Sequence, residues 1–116
     1  MPLIKVQTSI APSPAQVEPL LKQLSASLAK HISKPESYVM TALEPGIAMT
    51  FGGTTEPVCY IEVKSVGTMS AAQTQAMSQD FCQTINQAIG VPMNRIYIEF
   101  ADAKGYLWGW NGSTFG

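Results

Sequence analysis

The run LIKVQTSI near the start of the chain sets Ile4 and Val6 against Lys5 and Gln7, an alternation that predicts a strand. A helical pattern follows. Leu20, Leu24, Leu28 and Ile32 recur every fourth residue, which marks one buried face of a helix. The helix stops before Pro35, and SKPESYVMTAL resumes the alternation of a strand. The same order then recurs at an offset of 57 residues. Ile4 and Val6 fall on Ile61 and Val63 in VCYIEVKSV. The four apolar positions of the helix fall on Met77, Phe81, Ile85 and Ile89, and Pro35 and Val39 fall on Pro92 and Ile96. Ser13 with Gln16, and Ser70 with Gln73, have the spacing of a capping box at the two helix starts. Pro14 stands just inside the first helix, where its missing N–H costs nothing.

Two β-α-β units in one chain of 116 residues predict an α+β, two-layer fold. A four-stranded sheet carries both helices on one face, because each parallel pair is joined by a crossover helix. The chain reads as one domain, with repeat halves at about residues 2–45 and 58–102 and a C-terminal strand segment at about 105–116. The strand pattern leaves open whether Leu3, Lys5 and Gln7 or Ile4, Val6 and Thr8 face the helices. The tail GYLWGWNGSTFG predicts a short strand or hairpin.

Composition changes this picture in one respect. Only 13% of the residues are charged, against 46% hydrophobic, where soluble chains average roughly 25% charged. A small domain with so little charge is expected to hide surface by self-association. A net charge of −1 argues against a nucleic-acid partner. No run is long enough for a membrane span and no signal-peptide pattern opens the chain, so a cytoplasmic location is the expectation. Cys59 and Cys82 lack metal-ligand spacing, and no metal cluster or phosphate-binding glycine motif is present. His31 and Lys34 flank the end of the first helix, where a cation suits the helix dipole. Pro2 is unusual. If Met1 is removed, Pro2 becomes a secondary amine at the terminus.

MPLIKV, SKPESYV, MTFGGTTEPVCYIEVKSVG, NRIYIEF and GWNGSTFG, in this order, resemble the macrophage migration inhibitory factor family of the tautomerase superfamily. The resemblance implies a homotrimer with active sites between subunits and no cofactor. It implies keto–enol tautomerisation of aryl pyruvates such as phenylpyruvate and hydroxyphenylpyruvate, and of dopachrome-like compounds. Pro2 would be the catalytic base and Lys34 the partner of the substrate carboxylate. Val66, Trp110 and Phe115 match apolar and aromatic pocket positions, and Tyr38 matches a rim aromatic. Tyr97 matches a tyrosine contributed by the adjacent subunit. Two departures bear on specificity. Glu99 stands where relatives commonly have Asn, and Trp108 where they have a smaller apolar residue. The dithiol pair of the vertebrate member has no counterpart, since Val58 and Ile61 occupy those positions, and Cys82 reads as a small buried hydrophobe. Two other readings remain open: a cytokine-like signalling protein with a vestigial pocket and possible receptor binding, and a non-catalytic small-molecule binding module.

Overall fold

A computed structural model describes residues 1–116. β1 (Leu3–Thr8) leads to α1 (Pro14–His31) and β2 (Met40–Glu44). β3 (Cys59–Val66), α2 (Ala71–Ile89) and β4 (Ile96–Ala103) repeat the unit. A hairpin of β5 (Gly109–Trp110) and β6 (Ser113–Thr114) closes the chain. The sheet order is β2-β1-β3-β4, with β1 parallel to β2, β3 parallel to β4, and β1 antiparallel to β3.

The register carries the repeat into space. Ile4 pairs with Val63, and Val6 pairs with Ile61. Ile4 and Ile61 are equivalent in sequence, as are Val6 and Val63. Ile4 thus faces the equivalent of Val6, and Val6 faces the equivalent of Ile4, which is what a two-fold between the central strands requires.

Both helices cover one face. Leu20, Leu24 and Leu28 of α1 and Met77, Phe81 and Ile85 of α2 are buried against Ile4, Val6, Ile61 and Val63. Each such side chain contributes roughly 1.5–3 kcal/mol by leaving water. The capping residues do their work at Ser70, whose Oγ accepts the Gln73 N–H while Gln73 Oε1 accepts the Ser70 N–H. At Ser13, Gln16 Oε1 accepts the Ser13 N–H at 2.9 Å. His31, in the last turn of α1, also ties the helices together, with Nε2 2.7 Å from Asp80 Oδ2 of α2.

The structure settles the face left open by the strand pattern: Ile4, Val6 and Thr8 point to the helices. The opposite face, carrying Lys5, Gln7, Tyr60, Glu62, Lys64 and Glu99, is polar. Lys5 meets Glu44 at 3.3 Å, and Lys64 meets Glu62 at 3.5 Å. The Gln7 amide, first, and then Lys5 hold the Glu44 carboxyl below its ordinary range. A second difference lies after each helix. Pro35 and Pro92 each open a single 3₁₀ turn, Glu36–Tyr38 and Met93–Arg95, before the strand begins. No helix is long and apolar enough to cross a membrane.

Candidate active site

The start of β1 lies in a hollow. Met40 N–H donates to Pro2 O at 3.0 Å, so pairing with the β2 strand already holds Pro2. Around Met1 and Pro2 is a cavity of about 530 Å³. Its wall is aromatic, formed by Tyr38, Trp108, Trp110 and Phe115, with Leu3, Val39 and Met40 beside them. Trp110 and Phe115 stack at 5.9 Å between centroids, 18° from parallel, and Tyr38 meets Trp110 edge-on at 6.0 Å.

The tail reaches this wall through a latch. Phe115 N–H is shared between Gly105 O at 3.1 Å and Trp108 O at 3.2 Å. A Cβ on Gly105 would stand 2.6 Å from Phe115 O, so the tail lies directly on that glycine. The hairpin is too short to be stable alone. This latch and the aromatic stacking hold it in place.

Lys34 is placed by the end of α1. Ser33 takes a left-handed conformation (φ 55°). The Lys34 N–H then bonds Ala29 O at 3.0 Å and the Ser33 N–H bonds Lys30 O at 3.3 Å, a Schellman closure of the helix. The chain thereby turns Lys34 toward the end of β3, where Nζ donates to Val66 O. It also comes near the terminal amine. Burial, and then the positive charge of Lys34, lower the Met1 amine below its ordinary pKa.

Pro2, Tyr38, Trp108, Trp110 and Phe115 thus meet in one cavity, with Lys34 at the terminal amine. Val66 offers its carbonyl to Lys34, while its residue lines a neighbouring hollow of about 580 Å³ with Asp102, Lys104 and Tyr106. Tyr97 and Glu99 lie elsewhere. Tyr97 stands in the row of Gln7 and Tyr60, five residues along the strand direction from Pro2. At the rise of a strand that is roughly 16 Å, and one strand, β3, intervenes sideways. Glu99 stands beside Glu62 in the row of Lys5. Neither reaches the Pro2 cavity of its own chain.

The thiols are not candidates for chemistry. Burial, helped by nearby Cys82, pushes the Cys59 thiol up to about 12. Burial also raises Cys82, against a hydrogen bond to Ser78. Neither supplies a thiolate near neutral pH. Sequence reading missed Leu3 and Met40 as cavity residues. The alternation of β1 and β2 carried the signal, since both point away from the helices.

Over residues 1–116 the chain matches the family described as Macrophage migration inhibitory factor (MIF). It is 34% identical over 116 residues to the macrophage migration inhibitory factor homolog of Brugia malayi, covering 100% of both chains. It is 33% identical over 115 residues to macrophage migration inhibitory factor of Xenopus tropicalis, covering 99% of each. Among solved structures, the macrophage migration inhibitory factor homologue from Prochlorococcus marinus superposes with a TM-score of 0.93. Its sequence identity is 52%, over 98% of this chain and 99% of that one. The Trichinella spiralis protein gives a TM-score of 0.88 at 31% identity, over 97% of this chain and 99% of that one. With two helices packed on one face of a mixed four-stranded sheet and a match along its full length, the chain belongs to the macrophage migration inhibitory factor family.

Proposed function

We propose that this protein is a keto–enol tautomerase of aryl pyruvates, working as a homotrimer with Pro2 as general base. The observation that carries the reading is the terminal amine beside Lys34 at an aromatic cavity. With Met1 in place, the Pro2 nitrogen is an amide and holds no basic pair. Removal of Met1 turns it into a secondary amine at the same cavity.

A base must be neutral to act, and it acts best with a pKa near the working pH. An α-amino group ordinarily titrates at about 8. Burial and the Lys34 ammonium both disfavour the protonated form of the Met1 amine, and a Pro2 amine exposed by Met1 removal would lie in the same cavity. The aryl ring lies against Trp110 and Phe115, and the carboxylate pairs with Lys34. The Pro2 nitrogen takes a proton from the carbon beside the ketone. The electron pair of that C–H bond forms the enol double bond, the C=O π pair moves onto oxygen, and the Pro2 ammonium gives its proton to that oxygen, leaving the amine neutral. The reverse sequence restores the keto form with the amine unchanged. Tyr97 and Glu99 enter the cavity from an adjacent copy, which accounts for their distance from Pro2 within one chain.

Pro2→Gly, expressed so that Met1 is removed and checked by intact mass, tests the base. Conversion of enol to keto phenylpyruvate is expected to slow by about a hundredfold or more, the usual worth of a positioned base. An undiminished rate would remove Pro2 from the mechanism.

A further inference from the structure

One side chain, Arg95, spans residues 51–57 of the loop between β2 and β3. Arg95 Nε donates to Pro57 O at 2.9 Å, and Nη1 donates to Phe51 O at 3.1 Å. Nη2 donates to Glu56 O at 3.0 Å and Thr54 O at 3.4 Å. Only a planar guanidinium spreads donors over four carbonyls in this way. The same group lies 5.3 Å from the centre of the Phe51 ring. Phe51 closes a tight turn with Thr54 through reciprocal N–H···O bonds of 3.0 and 3.1 Å. Its ring meets Tyr97 at 4.8 Å between centroids, tilted by 50°.

Tyr97 needs such a neighbour. It is 66% exposed on the edge strand β4, and its hydroxyl makes no hydrogen bond within the chain. A ring on an open strand surface samples several rotamers unless something packs against it. Phe51 is that contact, and Arg95 holds Phe51 by both its carbonyl and its ring.

We infer that Arg95, acting through Phe51, is the positioning residue for Tyr97, fixing where that ring stands for the cavity of an adjacent copy. This rests on the intersubunit site proposed above. Arg95 touches no substrate, and its effect reaches the site through two aromatic rings.

The test is a double-mutant cycle on the trimer, read as KM and kcat for hydroxyphenylpyruvate. Tyr97→Ala is expected to raise KM about tenfold, and Arg95→Gln or Phe51→Leu about three- to fivefold, with kcat within about twofold. Phe51→Tyr keeps the ring and is expected to leave KM at the parent value. In the Tyr97→Ala background, neither Arg95→Gln nor Phe51→Leu should add anything, because the group they position is gone. Purely structural damage would lower activity in both backgrounds. Additive effects, or a parental KM in both Arg95→Gln and Phe51→Leu, would overturn the positioning role and leave the intersubunit site standing. A silent Tyr97→Ala would overturn both. If Arg95→Gln fails to assemble, Phe51→Leu decides alone, since it leaves all four carbonyl bonds in place.

Discussion

In the proposed mechanism Lys34 would have two effects at the Pro2 amine. It would pair with the substrate carboxylate, and its charge, which lowers the Met1 amine pKa here, would let the neutral base persist to lower pH. Lys34→Gln removes both. The amine pKa should rise, and the acid limb of the pH–rate profile should move to higher pH. KM for phenylpyruvate should increase about tenfold or more, the worth of one hydrogen bond to a charged group. A pH series of kcat/KM separates the two effects. Glu99 offers a contrasting case. In the proposed trimer, a Glu99 carboxylate brought to the cavity by an adjacent copy would repel an anionic substrate, so Glu99→Gln should lower KM for phenylpyruvate. A raised KM would instead assign Glu99 the role of a protonated donor to the ketone. These residues were legible to different degrees. Pro2, Lys34 and Trp110 were picked out by the motifs around them. The placement of Lys34 near the amine is not, because it depends on a left-handed Ser33 that no motif announces.

The helix ends show most plainly what the repeat predicts and what it leaves out. Gly90 ends α2 at φ 76°, and Ser33, 57 residues earlier, ends α1 at φ 55°. The first closure is made by the residue type suited to it, the second by one that pays for its Cβ. Ser33→Gly should therefore stabilise the protein by about 1 kcal/mol and Gly90→Ala destabilise it by a similar amount. Both are measurable as shifts in thermal midpoint at fixed protein concentration. Ser33→Gly has a further use, since it should leave Lys34 in place and activity unchanged. The capped starts, apolar stripes and proline stops make both β-α-β units readable in the sequence itself. The 3₁₀ turns were not readable. Alternation marks where a strand begins, at Val39 and Ile96, but not what the three residues after a proline do.

At the scale of the molecule, the strand pattern was ambiguous because both faces of β1 carry apolar residues. Burial under the helices resolves it and leaves a polar sheet face with paired charges rather than an apolar one. Low charge thus does not mean that this face lacks polar groups. Large exposed side chains remain for self-association to cover: Met40 and Tyr97, which share this face with the charges, and Trp110 of the hairpin. The proposed trimer predicts a mass of three 12.5 kDa chains by light scattering. It also predicts complementation. Pro2→Gly and Tyr97→Ala chains, each weak alone, should regain activity when refolded together. Some sites would then pair an intact Pro2 with an intact Tyr97 from the next copy. Activity in the mixture no greater than the average of the two variants would place Tyr97 outside the site.

The two-fold relating β1 to β3 also relates two hollows. Met1, Pro2, Leu3 and Met40 line the cavity at the chain start. Their equivalents 57 residues on, Val58, Cys59, Tyr60 and Tyr97, line a cleft of about 350 Å³ at the opposite end of the sheet. Lys34 is answered there by Val91, and Tyr38 by Arg95. The repeat thus places a hollow at each end of the sheet. At the first, removal of Met1 would turn the Pro2 nitrogen into an amine. The second is threaded through by continuous chain, and its nitrogen at Cys59 is an amide. A loop and an arginine fold over it instead. In the proposed mechanism, the asymmetry between the two hollows comes down to one backbone nitrogen: an amide at Cys59, and at Pro2 an amine once Met1 is removed.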